Sequence, residues 1–266
     1  MMIDRIREEL GEHFNLVQEL NIVPVASLWG ESIVDPETMS SFLSAYQRLI
    51  EGQDQTVAAA YFTSWFGDVA AALQYTVSVH HAAPNFSLAN LRIHLMKETG
   101  YTRIAFQLEK MNVILAPKDS EERTVWLEAE LRRFYSQTVR PLMECLAKAS
   151  GLHVSMLWGQ LPTALQNYRE NIHNTYQNDE ALLRQFAADE KVVQNGLQAD
   201  VFGLAKNPLR VRVRLIDHPL EPSKRLAINN VCCLQYLRQG RSYCYTCPRL
   251  GKKNGPIGSP RPEKIK

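Results

Sequence analysis

The sequence predicts an α+β fold: a mainly helical body, an antiparallel β-hairpin or small sheet, and a cysteine-rich C-terminal segment. Three observations predict it. Apolar residues recur at three- and four-residue spacing over most of the first 200 positions. Two runs of period two flank a glycine-containing turn near position 100. Four of the five cysteines fall between positions 232 and 247.

At the N-terminus, Ile3, Ile6, Leu10, Phe14 and Val17 mark an amphipathic helix over about 2–20, and Pro24 interrupts regular structure beyond it. Asp35-Pro36 reads as an N-cap with proline at the first helical position. That helix shows Met39, Phe42, Tyr46 and Leu49 to the core, and Gly52 weakens it. Residues 55–79 form the most apolar helix, with Phe62, Trp65, Phe66, Val69 and Leu73 as its buried surface. Leu91, Ile93 and Leu95 alternate with Arg92 and His94. Beyond Lys97-Glu98-Thr99-Gly100, Ile104, Phe106 and Leu108 alternate with Arg103, Ala105 and Gln107, which predicts a hairpin with a four-residue loop. Val113–Leu115 ends this unit.

Further helices are expected over 121–149, closed by Gly151, over 154–175 with a true start at Leu161 because Pro162 suits a first turn, and from Asp179 to about Ala188. In Arg210–Ile216, Val211, Val213 and Leu215 alternate with Arg210, Arg212 and Arg214. This predicts a half-buried strand with a cationic open face.

The net charge of +2 hides an asymmetry. Residues 1–200 carry 16 basic and 25 acidic side chains, whereas 201–266 carry 14 basic and 3 acidic. The acidic body repels nucleic acid, and the basic end attracts an anion or stays solvated. The first twenty residues carry acids and lack the apolar core of a signal peptide. No stretch reaches 18 apolar residues without charge, so no spanning helix is expected. The 45% hydrophobic content suits a soluble globular chain.

The cysteine pattern is C-C-x10-C-x2-C: Cys232, Cys233, Cys244 and Cys247. A disulfide framework is spread across a fold, whereas this cluster staples one short patch, so a reducing compartment and a metal site are expected. C-x2-C alone serves zinc ribbons, redox pairs and iron–sulfur sites alike. Adjacent cysteines strain a single-zinc site, because successive side chains diverge, and the spacing therefore favours an iron–sulfur centre over zinc. A redox dithiol and four free thiols packed together complete the alternatives. Arg225, Arg238, Arg241 and Arg249 lie close in sequence and would raise the reduction potential of such a centre or hold an anionic chelate. Cys145 sits among Leu142 and Leu146 and reads as a buried apolar thiol.

Other chemistry has little support. His80-His81 reads as helix capping or polar surface, since adjacent histidines face different directions. His94 falls on the polar side of its strand and His153 just past a helix end. No G-x-S-x-G, H-E-x-x-H, G-x-G-x-x-G or Walker A pattern is present, so the residues support neither a hydrolase nor NAD(P)H or flavin binding.

The cysteine pattern, in the run VCCLQY…CYTCPR, resembles the C-terminal segment of the FhuF family of siderophore ferric-iron reductases. Residues 155–168, SMLWGQLPTALQNY, and the strand–turn–strand around Glu98-Thr99-Gly100 are also similar to that family, over roughly 55–250. The resemblance implies an oxidoreductase of iron transport. It would carry out one-electron reduction of a ferric siderophore, commonly a hydroxamate, and release ferrous iron. It implies a [2Fe-2S] cluster held by Cys232, Cys233, Cys244 and Cys247 as metal ligands, with no other catalytic residue. Arg210, Arg212 and Arg214 are candidates for binding the chelate. Partners would be the ferric siderophore and an external one-electron donor such as a ferredoxin, flavodoxin or reductase. The place would be the cytoplasm, with peripheral contact at the inner membrane, and no nucleic acid is expected. The expected organisation is a siderophore-interacting body over 1–224, a [2Fe-2S]-binding segment over 225–250 and a flexible basic tail over 251–266. A zinc-stabilised four-cysteine binding or scaffold protein without redox activity is the alternative.

Overall fold

A computed structural model describes residues 2–212, 214–218, 221 and 225–250. The mixed α+β class holds. Helix α1 (Met2–Phe14) is shorter than its apolar period suggests. Asn15 takes φ 55°, a left-handed conformation that asparagine tolerates, and turns the chain away. Its amide then donates to Asp68 at 2.6 Å, which explains an acid in the midst of the most apolar helix. The chain next forms strand β1 (Ala26–Trp29), which the sequence pattern did not reveal.

Helix α2 (Pro36–Leu49) begins as expected. Asp35 caps it by accepting from the Thr38 amide at 2.8 Å. Helix α3 (Gln55–Val79) is buried over most of its length, including Phe62, Phe66 and Val69. Trp65 and Gly67 serve packing. The Trp65 indole donates to the Tyr46 hydroxyl at 3.0 Å. A Cβ on Gly67 would stand 2.3 Å from that of Ala164, so glycine lets two helices touch along their backbones.

Strand β2 (Ala82–Pro84) precedes the hairpin of β3 (Leu91–Glu98) and β4 (Tyr101–Leu108), and β5 (Val113–Leu115) returns to pair with β2. The hairpin register runs from Leu91↔Leu108 to Glu98↔Tyr101. The loop is therefore two residues, Thr99 and Gly100, not four. Gly100 at φ 88° supplies the left-handed turn that such a tight loop needs. The sheet order is β1-β3-β4, all antiparallel. His94 lies inside rather than on an open face: Ser27 meets its Nδ1 at 2.8 Å.

The expected long helix is α4 (Ser120–Phe134) and α5 (Arg140–Ser150), joined through a π-helical turn at Tyr135–Val139. Gly151 ends it at φ 74°. The next stretch divides into α6 (Val154–Trp158), capped by His153, and α7 (Leu161–Thr175), with Pro162 in its first turn. Helix α8 (Glu180–Lys191) completes the body. Helices α1, α2, α7 and α8 all pack on α3, which makes α3 the hub of the core. No helix among the described residues is long and apolar enough to cross a membrane.

The strand expected over 210–216 is reduced to β6 (Leu215–Asp217), paired only with β7 (Arg225–Ala227). Arg210, Arg212 and Arg214 are exposed and lie outside any strand, and Val213 is outside the described residues. The alternation has no sheet to lie on: Leu215 is 43% exposed. The tail expected over 251–266 also lies outside the described residues.

Candidate functional site: a nest of four buried thiols

Residues 225–250 contain little regular structure, yet Cys232, Cys233, Cys244 and Cys247 are 1–4% exposed. Turns accomplish this. Leu234 adopts φ 59°, ψ 17°, directly after the adjacent pair, and reverses the chain. A left-handed leucine costs of order 1–3 kcal/mol, so the surrounding contacts must hold it. The second pair is set by a tight turn in which the Cys247 amide donates to the Cys244 carbonyl at 3.0 Å.

Two sets of contacts fasten the segment to the body. On one side, the Gln160 amide donates to the Cys232 carbonyl at 3.1 Å, and the Asn230 amide donates to the Thr163 hydroxyl at 3.0 Å. A Cβ at Gly159 would stand 2.4 Å from Val231, so the chain between α6 and α7 is shaped to receive the loop. On the other side, Arg238 donates to the Ile50 carbonyl at 2.8 Å and lies 5.1 Å over the Tyr61 ring. The Gln53 amide donates to the Leu237 carbonyl at 2.8 Å. Arg238 thus faces inward and anchors the segment.

The sulfurs meet as two nested pairs. Cys232 and Cys247 are 3.6 Å apart, and Cys233 and Cys244 are 3.8 Å apart. Asn229 and Thr246 each donate toward the Cys244 sulfur, at 3.6 and 3.8 Å. None of the five cysteines is in a disulfide. Burial, with a smaller contribution from Cys247, pushes the Cys232 pKa from 9.0 up to about 12. Cys244 is raised still further, first by the hydrogen bond shared with Cys233 and then by burial. Cys145 is buried in α5, and burial pushes its pKa to about 11.

This geometry corrects the metal-site expectation. Among the described residues, no group of three or more His, Cys, Asp or Glu side chains is placed to hold a metal ion. Metal ligation needs thiolates directed at one centre. The nest instead brings the sulfurs together as two close pairs, Cys232 with Cys247 and Cys233 with Cys244. The four cysteines do not fit a [2Fe-2S] cluster, and the zinc alternative fails on the same ground. The iron–sulfur segment, ferric-siderophore reduction through it, the reductase activity and the associated iron-transport role are set aside with it.

Arginines and tyrosines surround the nest. Arg249 donates to the Tyr236 hydroxyl at 3.0 Å, and Tyr236 stacks on Tyr243 with ring centroids 4.3 Å apart. Arg241 is exposed. Arg225 pairs with Asp217 at 3.7 Å. Arg214 sits beside the nest through its backbone: its carbonyl accepts from the Ile228 amide at 2.8 Å, one residue before Asn229. Arg210 and Arg212 are exposed, and the structure draws neither into a cluster with the cysteines. Gln160, Thr163, Asn229 and Thr246 escaped the sequence reading. Gln160 and Thr163 lie in the stretch 155–168, which was marked only by its family resemblance; no signal pointed to Asn229 or Thr246.

His80 has a distant partner: its Nε2 lies 2.5 Å from Glu9, which also accepts from Tyr75 at 2.7 Å. This pair ties α1 to the end of α3, whose C-cap is His80, as the capping reading expected. No family model matches the chain, and no curated protein matches it.

Proposed function

We propose that the nest is a thiol–disulfide redox site that stores reducing equivalents in buried dithiols. The observation that carries this reading is the approach of the sulfurs in two pairs, at 3.6 and 3.8 Å. A disulfide needs the sulfurs at about 2.05 Å, so closing either pair requires an approach of roughly 1.5–2 Å. The pairs are nested, so both can close without crossing.

The chemistry needs an external disulfide as oxidant. A cysteine thiolate of the nest attacks it, breaks its S–S bond and forms a mixed disulfide, and the departing thiolate takes up a proton. The paired cysteine, once deprotonated, attacks the mixed disulfide, closes the protein disulfide and expels the second small thiol. Two protein thiols and one disulfide become one protein disulfide and two thiols. The protein loses two electrons and two protons, and the oxidant gains them. The four cysteines are 1–4% exposed, so an external disulfide reaches them when the segment parts from the body, and burial, which raises the Cys232 and Cys244 thiols, slows attack until then.

A reducing cytoplasm suits such a site, and we take it as the compartment. Kinship with the FhuF family remains a proposal carried by the C-C-x10-C-x2-C spacing, with no chemical step assigned through it.

Anaerobically reduced protein treated with glutathione disulfide, then digested and mapped by mass spectrometry, tests the reading. Cross-links Cys232–Cys247 and Cys233–Cys244 are expected, reversed by dithiothreitol, with Cys145 still free. Folded protein in which all four remain thiols after prolonged exposure overturns it.

A further inference from the structure

We infer that the nest exchanges preferentially with small disulfides that carry carboxylates, an inference that rests on the thiol–disulfide reading above. The charge distribution points there. Residues 201–250 contain nine basic and two acidic side chains, whereas residues 1–200 are acidic by nine charges. Part of that basic excess lies on the cysteine-bearing segment itself, at Arg241 and Arg249. Arg249 lies two positions after Cys247 and is held in place by the Tyr236 hydroxyl at 3.0 Å. Arg241 precedes Cys244 by three and is exposed. Arg214 is brought in from an earlier stretch of chain through the Ile228 amide, next to the Asn229 that bonds the Cys244 sulfur. Asp217 is spent on Arg225.

Placement explains why charge governs exchange here. The sulfurs are 1–4% exposed, so a reagent reaches them only when the segment opens. Arg241 and Arg249 belong to that segment and travel with the thiols. The open state therefore keeps its positive charges, against a body that is acidic by nine charges over residues 1–200. A small anion is concentrated at the one place where the thiols appear. A thiolate emerging beside arginines is also stabilised, which raises the fraction competent to attack.

The test compares three probes on the whole reduced chain at neutral pH and low salt. They are glutathione disulfide, which is anionic, hydroxyethyl disulfide, which is neutral, and cystamine, which is cationic. Each rate is normalised to that probe's rate with N-acetylcysteine amide. Glutathione disulfide is expected to lead by about tenfold over the neutral probe and by more over cystamine, with the order collapsing at high salt. Arg214→Glu with Arg241→Glu, two exposed positions, is expected to abolish or reverse the order while circular dichroism stays unchanged. Exchange without charge preference, or a lead for cystamine in the native chain, overturns the inference and leaves the redox reading standing. No exchange with any probe overturns both.

Discussion

Phe66 in α3 and Cys233 in the C-terminal segment are at most 1% exposed, yet different physics keeps them there. The Phe66 ring lies between α3 and the hairpin and meets Phe106 of β4 edge-on at 5.7 Å. Cys233 belongs to a stretch with one short strand and one turn of 3-10 helix. That stretch is held inside by a small set of polar contacts: Gln160 on Cys232, Thr163 on Asn230, and Arg238 on Ile50. The body is stable because its apolar period is long and repeated. The segment is stable because the body supplies a matching surface. Burial alone therefore does not reveal how tightly a region is held.

Breaking the stronger half gives the largest effect. Phe66→Ala is expected to cost about 3–5 kcal/mol, the range for truncating a buried aromatic. It should shift a single unfolding transition for the whole chain in urea, read by helical circular dichroism. A transition that stays in place would mean that α3 is not the hub.

Gly159→Ala strikes the seam between the two. The new methyl would meet Val231 at 2.4 Å, an overlap that costs about 1–3 kcal/mol where neighbours cannot yield. The expected result is faster labelling of the four thiols by a maleimide, with helicity preserved, because the loop yields before the helices do. Helicity lost in step with labelling would show that body and segment unfold as one unit, with no difference in how firmly each is held.

Raising the pH sharpens the comparison with the least perturbation. Cys232 has a folded pKa of about 12 against an ordinary 9.0, so the folded state holds this proton more tightly. Its contribution to stability is fully present below pH 9 and is lost as the pH climbs from 9 through 12. Hydrogen exchange of amides in 225–250 should accelerate above pH 9 beyond the intrinsic base-catalysed rise. Amides in the middle of α3, where no thiol titrates, should keep their protection. Equal loss in both regions would remove the thiols as the cause.

The hairpin was legible in the sequence because each strand carries its own alternation and a glycine sits between them. Its loop length was not, since pairing of Lys97 with Thr102 depends on the twist of the finished ribbon. The end of α1 escaped for a related reason. Val17 continues the helical period, but Asn15 gains more by turning to bond Asp68, fifty-three residues away. Arg210–Ile216 shows the opposite error. Its alternation is strict, but a period of two makes a strand only where another strand offers hydrogen bonds, and β7 offers three residues. At the site, the gathering of the four cysteines in one short stretch was legible, but the metal centre expected from it was not borne out; 155–168 was marked only by its family resemblance, and its contact with the loop was not legible.

Local chemistry decided the helices, their caps at Asp35 and Gly151, the hairpin, and the gathering of four thiols into one short stretch. Each depends on residues within a few positions of one another, whose propensities and periods act before any distant contact forms. The pairing of those thiols, the inward turn of Arg238 and the partnership of His80 with Glu9 were decided only by the assembled structure. Side-chain direction and dielectric environment are set by neighbours remote in the chain, and a spacing rule contains neither.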